Sequence, residues 1–464
     1  MHLFPILIAI LLFAGTFVAA IFWRRWLIAL WIFSVLVLPL IRFHLGAPIY
    51  VMDLLSVLML WQILARGGRF LPFRVMPWPW LFMGLAFAST VASGFLLFGF
   101  HPEQLWIWGH YSLSCLPLAF ATVIRNDSDN YYTLPLITGL TASLVILAAI
   151  GVIQHFDLPG REQIRDLFYS HFDSSSKDVA QVVEQMWEDK ETQVTRAPGP
   201  HFSPGAFAGI TLLGFLALLL IQRGNYNLCT YLGMLSTVLV ALTSVTRLVL
   251  VASAAGVLVF LFLTRNRQRL KAFAILGFAG LLGALFLGNY FSDVWSTRLA
   301  RWSHGVMEDD NVLARAIDGP TRLLHFFIAY PETLILGAGP DPEKLENKIQ
   351  QESNFESGFV SNSFLLALYY MGAVGFLFYA YFWWKVLSFS LRAPPHLRNV
   401  FCGAAVVCGI IIGADNYAMM FEAAATVLNL IGGSILSEIL LEEVPQEVCD
   451  DTPASEPGEE VYAA

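Results

Sequence analysis

The chain has 464 residues, 57% hydrophobic and only 13% charged, with mean hydropathy +0.63 and a formal net charge of -8. Soluble domains carry about 25% charged residues, so roughly half that density excludes a water-covered globular surface. Much of the acidic charge sits in the C-terminal tail, so the net charge does not point to a charged ligand.

The first apolar run lacks a basic flank and leads at once into a second, which reads as a retained helix and not a cleaved signal. A bilayer core of ~30 Å takes about 20 apolar residues in a helix. That window gives spans near 3–22, 26–41, 48–65, 78–99, 104–124, 133–153, 205–222, 228–244, 248–264, 272–290, 361–384, 399–414 and 420–440. The run 228–264 is too long for one crossing, and Thr243-Ser244-Val245-Thr246-Arg247 is the natural place for it to turn back. The expected fold class is an all-α polytopic membrane protein with about 12–13 transmembrane helices. The count is thirteen if the first two runs each span and twelve if they form one broken span.

Lys and Arg alternate between connections. Arg24 and Arg25, Arg66 to Arg74, Arg125, Arg223, Arg265 to Lys271, and Lys385 to Arg398 all fall on one side. The positive-inside bias makes that side cytoplasmic. Two long loops then lie outside. The expected organisation is N-terminal transmembrane helices over 1–153, a first extracytoplasmic loop over 154–204, and central helices with the Arg247 hairpin over 205–290. A large extracytoplasmic loop over 291–360 and C-terminal helices over 361–441 follow, then a disordered acidic cytoplasmic tail over 442–464. The first loop has an amphipathic stretch from Ser176 to Glu191.

Three arginines border the outer side. Arg196 precedes the span at 205, Arg247 sits at the hairpin tip, and Arg322 lies in the second loop. Positive charge there runs against the general bias. The guanidinium fork matches phosphate oxygens bidentately, and a pyrophosphate at headgroup depth suits such a set. Each arginine can equally be an interfacial anchor whose stem snorkels. Arg298, Arg301 and Arg315 read as loop-surface charges. His201, His304 and His325 are in or beside the outer loops. His325 is three residues after Arg322, on the same face of a helix, where an imidazole can serve as general base for a sugar hydroxyl. Asp53, inside an apolar run, reads as structural.

Other chemistries find little support. The five cysteines form no CxxC or Cys/His cluster of metal-ligand spacing, so no metal-ligating residues are read from the sequence. Gly337-Ala-Gly-Pro-Asp341 lacks a third glycine and a βαβ setting, and reads as a tight turn. No cofactor is expected, and no nucleic-acid partner.

These residues resemble the O-antigen ligase and O-antigen polymerase family of bacterial membrane glycosyltransferases. The first motif of the resemblance is Arg-x-x-Gly-x-x-x-x-Pro-Gly, here Arg196 to Gly205. The second is the Thr243 to Arg247 hairpin. The third is an Arg-led helix followed by a Gly-x-Gly turn, here Arg322 and then Gly337 to Gly339. The fourth is Ser361-Asn362-Ser363-Phe364-Leu365 with Gly372 and Gly375. The match covers roughly 190–385.

The resemblance implies a GT-C-like fold and transfer of a glycan from undecaprenyl pyrophosphate at the outer face of the bacterial inner (plasma) membrane, for O-antigen or exopolysaccharide synthesis. It implies catalytic roles for Arg247, Arg322 and His325, and substrate contacts from Arg196, His201, Ser361 and Asn362. It implies as partners the bilayer, the lipid-linked glycan, a flippase and a chain-length regulator. Ligases of the family carry His where this chain has Ser361, and Ser is no base without a partner. That departure favours a polymerase over a ligase. A transporter of lipid-linked sugar is the competing class, and the sequence lacks the internal repeat such proteins often show.

Overall fold

The computed structural model describes residues 24–39, 41–44, 48–65, 109–110, 112–125, 127, 130–169, 196–201, 203–223, 225–263, 319–339, 362–414 and 422–443, with single positions at 14, 15, 18, 84 and 88. The expected spans 3–22, 78–99 and 272–290 lie outside these residues. So do the stretch 176–191, Arg298, Arg301, His304, Arg315, Ser361 and the tail beyond 443.

A single 3-10 turn at Arg24–Trp26 leads into α1 (Leu27–Val37), which stops two residues before Pro39. Proline supplies no N–H and disfavours helix at the residue ahead of it. The chain then forms a small hairpin, β1 (Arg42–His44) against β2 (Pro48–Tyr50), with Phe43 opposite Ile49. This short hairpin interrupts a set of described residues that is otherwise helical, in keeping with the expected all-α class. The spans read as 26–41 and 48–65 are shorter than expected because the hairpin takes their facing ends. Helix α2 (Val51–Ala65) follows, and Trp31 Nε1 donates to Ser56 Oγ at 2.9 Å across the α1–α2 pair.

The remaining helices are α3 (Leu116–Arg125), α4 (Thr133–His155), α5 (Arg161–Tyr169), α6 (Pro204–Ile221), α7 (Leu228–Ser244) and α8 (Arg247–Leu263). After them come α9 (Gly319–Ala329), α10 (Thr333–Leu336), α11 (Ser363–Arg392), α12 (Arg398–Ala414) and α13 (Glu422–Glu443). Among the described residues α4, α6 and α11, of 23, 18 and 30 residues, are long and apolar enough to cross a membrane. Helices α2, α3, α7, α8, α12 and residues 423–438 are apolar but shorter.

Helix α6 is the axis of the array. Its apolar window is 83% buried, against 56% for α4 and 50% for α11. It packs against α4, α7, α8, α12 and α13. Its sequence, PGAFAGITLLGFLALLLI, is apolar on every face, as a helix enclosed by others requires. The outer faces of α7 and α8 carry exposed Leu235, Val238, Leu258 and Phe262, apolar surface that suits lipid contact.

The helices run alternately, so their ends collect into two layers. The basic end holds Arg24, whose carbonyl accepts from Gln62 Nε2 at 2.6 Å. There Arg125 and Arg223 meet Glu438 at 2.6 and 2.8 Å. The opposite end, called the loop end below, holds the last turn of α4, the N-terminus of α6 and the α7–α8 turn.

Candidate functional site

The loop end is organised by the segment 196–203. Ala197 N donates to Thr243 O at 3.1 Å, and Arg196 Nε donates to Ser244 O at 3.2 Å. Gly199 N donates to Gln154 Oε1 at 2.8 Å. Gly199 has φ +58, and a Cβ there would meet the Phe207 ring at 2.2 Å, so glycine is required twice over. Ser203 Oγ then caps α6 by accepting from Ala206 N at 3.0 Å, with Pro204 at the first helical position.

The hairpin tip is equally constrained. Helix α7 ends at Ser244, and Val245 adopts the left-handed conformation at φ 51. A β-branched residue is rarely found there, so surrounding structure must hold it. Val245 is fully buried, and Thr246 Oγ1 donates to Pro204 O at 3.1 Å. Arg247, half-buried, opens α8. A cation at a helix N-terminus opposes the helix dipole. Backbone alone would place an acid there. The N-termini of α6 and α8 meet through Thr246 and Pro204, and Arg196 and Arg247 flank the junction. A helix N-terminus favours negative charge through its backbone N–H groups and its dipole.

His201 lies inside this layer. Its side chain is 1% exposed, its ring lies 6.3 Å from that of Phe207, and the Leu36 backbone bonds it. Burial pushes the imidazole down to about 3, with the Leu36 bond opposing in part, so it is neutral. The expectation of a substrate contact gives way to a packing position, because the ring sits beneath the surface and not on it.

Arg322 and His325 are on α9, where Arg322 is half-buried and His325 exposed. Leu323, Phe326 and Phe327 bury the other face, with Phe326 stacked edge-on to Tyr369 of α11 at 5.2 Å. Helix α11 breaks at Gly372 (φ 64, ψ -170). The break frees the carbonyls of Tyr369 and Tyr370, and Ala338 N and Gly339 N donate to them at 2.8 and 3.1 Å. A Cβ on Gly337 would meet Tyr370 O at 2.3 Å, and one on Gly372 would meet Ile335 O at 2.2 Å. The Gly-x-Gly turn and the glycine within α11 are therefore two halves of one contact, which fixes α9 and Arg322 on α11.

Asn362 is occupied as well. Its Oδ1 accepts from Phe364 N at 2.8 Å as the cap of α11, and its Nδ2 donates to Gly413 O at 2.6 Å at the end of α12. It ties two helix ends together, the start of α11 and the end of α12. The structure thus joins Arg196 to the Arg247 hairpin directly and carries Arg322 and His325 on a separate support.

Sequence reasoning missed His110. Its Nδ1 lies 2.8 Å from Asp53 Oδ2, and its ring stacks on Tyr50 at 4.4 Å. Both groups lie within expected spans, and ionisable residues there were the signal available. Gln154 and His155, 1% and 5% exposed, close α4 just past the expected end of its apolar run at 153. Among the described residues no cluster of three His, Cys, Asp or Glu could hold a metal. No family model matches the chain, and no curated protein matches it.

Proposed function

We propose that the chain is a polytopic membrane glycosyltransferase that polymerises glycan repeat units. It takes each unit from undecaprenyl pyrophosphate and adds it to a growing chain, at the outer face of the bacterial inner membrane. The proposed fold has twelve or thirteen spans with two long outer loops, in a GT-C-like arrangement, with the basic end in the cytoplasm. The observation that carries this reading is the anchoring of Arg196 onto the hairpin of Arg247, beside two helix N-termini.

The chemistry needs little more than position and charge. The acceptor hydroxyl attacks the anomeric carbon as the bond to the pyrophosphate oxygen breaks and its electron pair leaves with the diphosphate. Arg196 and Arg247 screen that developing charge, with Arg322 closing over it from the second loop. His325, exposed on the same helix as Arg322, accepts the hydroxyl proton.

The test is the material held on lipid in cells lacking the gene, restored with wild type or with Arg247→Ala. Single repeat units on the lipid, cleared by wild type and retained with the variant, support a polymerase. Finished long chains trapped on lipid mean a ligase. No lipid-linked glycan at all overturns the reading.

A transporter gains one specific observation, the broken helix α11, since discontinuous helices line transport sites. The freed carbonyls, however, are taken by Ala338 and Gly339, so the break serves a backbone contact.

A further inference from the structure

The basic end holds a cavity of about 300 Å³, at the low end of small-molecule sites. Arg125 closes α3, and Arg223 follows the last turn of α6. Both line the cavity, together with Glu438 of α13. Helices α4 and α7 start on its wall, at Thr133 and at the capping residue Asn227. Ile137 of α4 and Phe401 of α12 give it an apolar side.

The charges on its wall are unequally shared. Arg125 Nε and Arg223 Nη2 reach the same carboxylate oxygen, Glu438 Oε2, at 2.6 and 2.8 Å. One negative charge thus faces two positive ones, and the two guanidiniums repel each other. Among the described residues their other nitrogens have no protein acceptor. Asp127, the second carboxylate on the wall, is directed elsewhere. Its Oδ2 accepts from Tyr132 N at 2.6 Å, Thr133 N at 2.9 Å and Thr133 Oγ1 at 3.1 Å, which caps the start of α4. Arg223 is held in place by its surroundings. Its φ is 50, a left-handed backbone that is uncommon outside glycine.

A ligand that brings a second negative charge completes this set. The guanidinium fork matches phosphate oxygens, and the starts of α4 and α7 favour an anion through their dipoles. The rim indicates what carries the phosphate. Leu134 and Leu228 directly follow the lining residues Thr133 and Asn227, and they are 50% and 71% exposed. They place apolar surface beside the polar cavity, where an acyl chain leaves a headgroup. Basic pockets between transmembrane helices take the headgroups of anionic lipids. We propose that the cavity binds the phosphate of an anionic phospholipid through Arg125 and Arg223, with the acyl chains along Leu134 and Leu228. Glu438 is no ligand in this site; it competes with the phosphate for the same two cations. The site does not depend on the proposed activity, and the proposed orientation makes its lipid one of the cytoplasmic leaflet.

The test uses the purified full chain in a neutral detergent. Phosphatidylglycerol and phosphatidylcholine with the same acyl chains are the probes, and bound lipid is counted by native mass spectrometry. Phosphatidylglycerol should bind in preference, and more weakly as ionic strength rises. Arg223→Gln should weaken it about tenfold, the loss of one charge-assisted contact. Glu438→Gln should act in the opposite direction. It removes the competing charge and should tighten phosphatidylglycerol several-fold in the protein that remains monodisperse. An ion pair with a structural role alone gives no such gain. Inorganic phosphate and glycerol 3-phosphate are the soluble competitors, and each should displace the lipid only at far higher concentration.

Equal binding of phosphatidylcholine, or unchanged binding in Arg223→Gln, overturns the proposal. So does a Glu438→Gln protein that binds phosphatidylglycerol no more tightly than wild type. Displacement by inorganic phosphate at concentrations comparable to the lipid's overturns the lipid as occupant and makes the ligand a soluble phosphate.

Discussion

At the basic end Arg125 and Arg223 close on one carboxylate, Glu438, which is 8% exposed in its side chain. At the loop end Arg196 reaches a backbone carbonyl, Ser244 O, and Arg247 sits where the helix dipole already repels a cation. The first arrangement sets two guanidiniums on one carboxylate and ties α3, the end of α6 and α13 together. The second sets two arginines beside a turn held in the left-handed conformation at Val245. Burial pulls the Arg223 guanidinium below its ordinary pKa, and the Glu438 charge opposes that shift. Arginine thus closes on a carboxylate at one end and reaches backbone at the other. Identical side chains take opposite roles because their partners differ.

The comparison is broken first through Arg247. Arg247→Ala should lower glycan polymerisation in isolated membranes by about 10²–10³-fold, the range for losing one charge-stabilising donor. Arg247→Lys should restore little, since an ammonium lacks the planar fork. Full activity of the Lys variant would mean that the position supplies charge alone.

Gly372→Ala and Gly337→Ala come next. Each forces a Cβ into backbone at 2.2–2.3 Å with φ at +64 or +83, at a cost of roughly 2–4 kcal/mol. Both should lower the melting temperature in detergent. Near-equal losses in the two single variants and little further loss in the pair would show that they serve one contact.

Glu438→Gln sharpens the basic end. It leaves two guanidiniums facing a neutral amide. Because Arg223 is 38% and Arg125 26% exposed, solvent screens part of the loss, and the expected destabilisation is about 1–3 kcal/mol. Turnover of the folded protein should be unchanged, which Arg247→Ala will not share.

The smallest effect concerns His201. Its folded pKa lies near 3 against an ordinary 6.5, because burial disfavours the charged ring. The unfolded chain therefore binds the extra proton first. The stability from the neutral ring is complete above pH ~6.5 and is lost as pH falls toward ~3. His201→Phe should flatten the decline of melting temperature over that window. It should leave the alkaline side of the activity profile where it was.

Much of the helix layout was legible in residues 133–263. The apolar windows there match α4, α6, α7 and α8 to within two residues, and the turn at Val245 follows from a run too long for one crossing. Gly337 and Gly372 were each visible as special positions. Their mutual contact was not, because 34 intervening residues carry no local signal of it. The same holds for Asp53 with His110 and for the two arginines on Glu438.

The sequence by itself determined which segments are apolar, where proline and glycine interrupt them, and which ends carry basic residues. These are local properties, set by hydrophobic transfer and backbone sterics over one or two helical turns. Only the tertiary structure decided that Arg196 lies on the Arg247 turn, that His201 is buried and that Arg125 and Arg223 share Glu438. Those facts depend on how helices far apart in the chain pack, and helix packing is chosen by side-chain shape across an interface that no single stretch of sequence contains.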